Sequence, residues 1–105
     1  MIRTGNMQVW LATAPVDMRK SFDGLAEGVR AFLGHDPLGG SLFVFRNRNA
    51  QRVKILFFDS GGLTLYSKRL ERGTFQFPAC DAKSLALSSA ERVKRLAGMQ
   101  VEAYR

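Results

Sequence analysis

Apolar residues follow two rhythms along this chain. Over residues 7–13 (MQVWLAT) they alternate, with Val9 and Leu11 on one side of an extended segment and Trp10 on the other, until Ala14-Pro15 ends it. Phe22, Leu25, Val29, Phe32 and Leu33 then recur at helical spacing. They predict a helix capped by Asp17 or Ser21 and closed after Leu33 by Gly34. Gly24 and Gly28 each cost that helix about 1 kcal/mol relative to Ala, which close packing against a sheet would explain. After the turn-rich residues 35–40 the strand rhythm returns, at residues 42–46, 53–58, 63–70 and, briefly, 74–77. Turns at residues 47–50 and 59–62 and a bend at Arg72-Gly73 separate these runs.

Short strands joined by tight turns make a meander. The pattern therefore predicts an α+β domain: a small antiparallel β-meander sheet of four or five strands with one main helix packed on it. The strands are apolar on nearly both faces, so the helix is expected to cover one face and other chain the second. Beyond Pro78 the residues turn small and polar, and Ser88-Ser89-Ala90-Glu91 forms a capping box that opens a short C-terminal helix to about Ala97, with Gly98 at its end. One domain over residues 1–98 and a flexible tail over 99–105 follow. A chain of 105 residues builds one core, not two.

Composition narrows the class of function. The chain is 46% hydrophobic, which fits a folded globular domain. No apolar run approaches the roughly 20 residues of a membrane span, and the N-terminus lacks the order of regions in a signal peptide. The expected location is cytoplasmic, with no membrane partner. One cysteine, Cys80, excludes an internal disulfide, and one Cys with one His (His35) leaves too few ligands for a tetrahedral zinc site. No cofactor is expected. The net charge of +7 favours a nucleic acid or an acidic partner.

The cations carry the candidate chemistry. Seven of them, Arg46, Arg48, Arg52, Lys54, Lys68, Arg69 and Arg72, fall within 27 residues that hold two acids, Asp59 and Glu71. Such a footprint suits phosphate contacts that grip DNA without reading its sequence, with a solvated basic rim as the plainer reading. Arg52 and Lys54 share one strand face, and Lys68 joins them only if the hairpin register sets it beside either. Arg69 then points away, and a one-residue slip reverses the assignment. Arg19 and Lys20 could add to the same anion site, although Asp17 as a cap with Arg19 as its ion-pair partner competes for that role. Aromatic residues on the strands, Phe43, Phe45, Phe57, Phe58, Phe75 and Phe77, would stack unpaired bases only if one face were open. The nine acids are dispersed and no phosphate loop or nucleophile–base spacing occurs, so no catalytic residues are expected.

The segment DMRKSFDGL (Asp17 to Leu25), LFVFRNR (Leu42 to Arg48), VKILFFD (Val53 to Asp59) and KRLERGTFQFP (Lys68 to Pro78), in this order and spacing, resembles a bacterial mobile-element family. It is the TnpB accessory protein of the insertion-sequence family 66 transposons, unrelated to the RNA-guided nuclease that shares the name. The match covers residues 9–78, about two thirds of the chain. The resemblance implies a non-catalytic accessory protein encoded beside a separate, larger transposase. Transposon DNA and that transposase are then the expected partners, the alternative being an adaptor that meets the transposase without touching DNA. No catalytic residues carry over from the family, and the DNA role of the cations rests on their charge.

Overall fold

The computed structural model describes residues 2–3, 8–76, 82–86 and 101–102. Among the described residues there are seven strands and one helical segment: β1 (Ile2–Arg3), β2 (Val9–Ala12), α1 (Phe22–Gly28) running into a π turn (Val29–Leu33), β3 (Leu42–Arg46), β4 (Arg52–Asp59), β5 (Gly62–Arg69), β6 (Ser84–Ala86) and β7 (Val101–Glu102). β1 and β7 pair in parallel, and the other five strands form one sheet in the order β5-β4-β3-β2-β6.

The α+β expectation holds, with a mixed rather than wholly antiparallel sheet. β3, β4 and β5 form the predicted meander. β2 lies parallel to β3, with Val9 opposite Leu42 and Leu11 opposite Val44. Adjacent parallel strands need a crossover, and the helix supplies it, making residues 9–46 a βαβ unit. The predicted last strand at 74–77 is not a strand in its described part, residues 74–76. Gly73, at φ 72°, turns the chain away from β5, and the Phe75 amide donates to the Ala50 carbonyl at 2.6 Å, so this segment straps the end of the sheet. The fifth strand is β6 instead, antiparallel to β2. The predicted C-terminal helix at 88–97, Cys80 and all of the expected tail except Val101–Glu102 lie outside the described residues.

Strand alternation divides the core in two. On the helix side, Ala12, Phe43, Phe45 and Leu56 meet Leu25, Ala26 and Val29 from the helical segment. On the other side Val9, Leu11, Leu42, Val44, Val53, Ile55 and Phe57 form a second cluster, with Tyr66 and Phe75 packed against it. Each fully buried Leu or Val contributes about 1.5–3 kcal/mol, so both faces are needed to hold so small a sheet.

Leu25 and Val29 of the predicted helical stripe are buried, but Phe22 at its start is 43% exposed, and after Val29 the stripe rotates. Gly34, at φ 71°, donates its amide to the Val29 carbonyl five residues back, and His35 donates to the same oxygen. That wider turn adds a residue per turn, so Leu33 takes the inward place and Phe32 swings out to 66% exposure. Gly24 and Gly28 also depart from expectation. Neither packs on the sheet, and a side chain at Gly28 would meet nothing within 4 Å. Both line a groove of about 650 Å³ together with Pro15, Val16, Phe32, Phe45 and Lys83.

Candidate nucleic-acid interface

The candidate interface lies where β3 ends, β4 begins and β5 ends. The five-residue connection between β3 and β4 is held by Asn47, whose side-chain oxygen accepts from the amides of Gln51 and Arg52, each at 3.0 Å. Its own amide donates to the Arg52 carbonyl at 3.1 Å. An Asn at the head of a turn does this because its short side chain mimics a backbone carbonyl. After β5 the chain folds back, with the Leu70 amide on the Gln51 carbonyl at 2.8 Å. Arg48 and Arg72 project from these loops, and both are exposed.

The register settles which cations share a face. Arg52 stands directly opposite Arg69, Val53 opposite Lys68, and Lys54 opposite Ser67. Arg69, not Lys68, therefore joins Arg52 and Lys54 on the helix side, the outcome of the one-residue slip. Lys68 falls in the row of Val53 and Arg46, on the other face.

Several of the nine cations have partners within the protein. The Lys54 ammonium donates to the carbonyls of Met18 and Lys20 at 2.7 and 2.8 Å, pinning the 17–20 loop to β4. The Arg46 guanidinium donates to the Thr13 carbonyl at 3.0 Å and, at 3.4 Å, to those of Asn47 and Arg48. Arg19 is engaged with Asp17, its Nη2 lying 2.7 Å from Oδ2 and its Nε bonding both carboxylate oxygens. Those hydrogen bonds, with the Arg19 amide on Oδ1, lower the Asp17 pKa to about 2. Asp17 therefore orders the 17–20 turn, while Ser21 stands at the helix N-terminus.

Arg69 shares its charge with Glu71 at 3.5 Å, both side chains being mostly exposed. Among the described residues Lys20, Arg48, Arg52, Lys68 and Arg72 make no ion pair. A depression of about 360 Å³ gathers Arg52, Lys54, Arg69, Ser67, Glu71 and Met18. Ser67 and Glu71 were not candidates on sequence, because only the register brings a neutral hydroxyl and an acid into that group.

Two other chemistries find little support in the geometry. Phe43, Phe45 and Phe57 are buried and Phe58 and Phe75 half-buried, so the described strands offer no open aromatic face for base stacking, and Phe77 lies outside the described residues. No three metal-ligating side chains gather among the described residues. His35 is half-buried against Trp10 and Phe43, with ring centroids 4.2 and 5.8 Å apart. No described helix is long and apolar enough to cross a membrane.

The model of the IS66 Orf2-like proteins matches residues 7–105. Two relatives come from Sinorhizobium fredii. The uncharacterized protein y4hO is 40% identical over 94 residues, covering 90% of this chain and 82% of the relative. The uncharacterized protein y4jC is 36% identical over 93 residues, covering 89% and 80%. No solved structure matches. The chain belongs to the IS66 Orf2-like family, a family of insertion-sequence accessory proteins.

Proposed function

We propose that this member of the IS66 Orf2-like family is a non-catalytic accessory protein of DNA transposition that grips DNA through phosphate contacts at the cationic end of its sheet. One observation carries the reading: Arg52 and Arg69 pair across β4 and β5, Arg48 and Arg72 stand exposed on the adjoining loops, and of these four only Arg69 makes an ion pair among the described residues. Arg46 and Lys54 brace this end, Arg19 pairs with Asp17 from an exposed side chain on the 17–20 turn, and Lys20 and Lys68 lie at its margins. Contacts of this kind position DNA and leave sequence choice to another protein, here the transposase of the same element. No cofactor is needed.

The test is binding of the purified protein to transposon-end DNA and to scrambled DNA at low and moderate salt. Four phosphate contacts would lower log affinity by roughly 3.6 per log unit of salt, at about 0.9 per contact. A slope of one contact or less overturns the phosphate reading, and a preference for the ends would add sequence readout. The competing reading, an adaptor that meets the transposase without touching DNA, draws on the groove beside the helix and the exposed Phe32. No DNA binding, together with transposase binding lost on Phe32→Ser, would install it.

A further inference from the structure

Arg52 and Arg69 stand directly opposite each other on adjacent antiparallel strands, on the same face, with Lys54 next along that face. Opposed like charges weaken a sheet, so this pairing raises the energy of the free protein. Among the described residues the one acid in the group, Glu71, reaches Arg69 at 3.5 Å from a side chain that is 84% exposed. An ion pair so open to water is easily displaced. Lys54 is already committed to two carbonyls, which leaves the two guanidinium groups and the Ser67 hydroxyl facing the depression.

From this juxtaposition we infer that Arg52 and Arg69 form a seat for one phosphate group. The guanidinium forks approach it from two strands, the Ser67 hydroxyl donates from below, and Glu71 holds the seat until the phosphate displaces it. The forks suit a tetrahedral oxyanion because each presents two N–H donors in a plane. Binding also removes the repulsion between the two strands, so the phosphate stabilises the sheet that holds it. The inference rests on the DNA-gripping reading and makes this seat its strongest contact. The phosphate is then a backbone phosphodiester, with free pyrophosphate as the other source of the same chemistry.

The variants Arg52→Gln, Arg69→Gln, their double and Glu71→Gln, with Arg72→Gln as a control, separate the possibilities. The probes are a short DNA duplex and, separately, pyrophosphate. Arg52→Gln and Arg69→Gln are each expected to weaken duplex binding roughly tenfold and the double by less than the product, because both serve one phosphate. Arg72→Gln should weaken it only a fewfold. Glu71→Gln should tighten binding several-fold, the opposite of what loss of a structural ion pair would do. In anion-free buffer Arg52→Gln should melt no lower than wild type, since it relieves repulsion. Wild-type affinity in the double variant, alongside strong loss in Arg48→Glu, would sink the seat and leave the DNA reading standing. No duplex binding by wild type removes the reading itself. Pyrophosphate bound by wild type without duplex binding would assign the seat to a free phosphate compound instead.

Discussion

At one end of β4 the chain reverses in two residues, Ser60 and Gly61, both at positive φ, with Asp59 paired directly to Gly62. At the other end it takes five residues, and the connection is braced by the Asn47 side chain, by residues 70 and 75 folded back on Gln51 and Ala50, and by Arg46 and Lys54 reaching to the 13–20 loop. The first end is the tightest turn that matches sheet twist and carries one acid. The second is held by many more bonds and carries the positive charge. The difference shows where rigidity was placed. Cations on a braced edge keep their spacing, and fixed spacing is what a ladder of phosphates rewards.

Charge reversal should break the comparison most forcefully. Arg48→Glu, Arg52→Glu and Arg72→Glu combined should weaken duplex binding by roughly a hundredfold or more at moderate salt. Arg30→Glu, on the helix beside Glu27, should change it less than about threefold, as suits a rim charge outside the contact. Equal losses in a filter or polarisation assay would mean that net charge, not this end of the sheet, drives binding. Next in size is Lys54→Met, which strips the Met18 and Lys20 carbonyls of a charged donor and should lower stability by roughly 2 kcal/mol in urea unfolding. A change under about 0.5 kcal/mol would show that water replaces the ammonium freely.

At the plain end, Ser60→Asn makes an Asn-Gly turn suited to positive φ and should raise stability by about 0.5 kcal/mol with DNA affinity unchanged. A loss of stability would mean that this turn is more than a reversal. The smallest effect concerns Asp17. Its pKa is lowered, so its contribution to folding is complete above the ordinary carboxylate range near 3.8 and is lost as pH falls through about 2. Stability should not depend on this group between about pH 5 and 9. A carboxyl NMR titration should place its midpoint near 2, and Arg19→Gln should move it back toward 3.8.

The meander, the helix and its Gly34 stop were legible in the sequence because local rhythm and turn residues specify them. β6 was hidden because residues 84–86 are a short run whose only signal is the partner they find on β2. The parallel pairing of β2 was equally silent, since alternation does not encode direction. Phe32 was expected inward because a uniform helical period places it there, and only the wider last turn turns it out. The cationic cluster was visible as a list of residues. Its sorting was not: whether Lys54 grips a ligand or a carbonyl depends on a loop 34 residues earlier, and whether Arg69 or Lys68 faces Arg52 depends on one step of register.

The mixed sheet also sets an order of assembly. β3, β4 and β5 close through turns of a few residues, whereas Val9 meets Leu42 only after the whole helix and its loops have been spanned. Short closures come early and cheaply in entropy, and the distant parallel pairing arrives late. The single tryptophan, Trp10, rides on β2, the late strand, and packs against His35 there. Its emission in a stopped-flow refolding experiment is therefore expected to change in the last phase, after the hairpins of β3, β4 and β5 have closed.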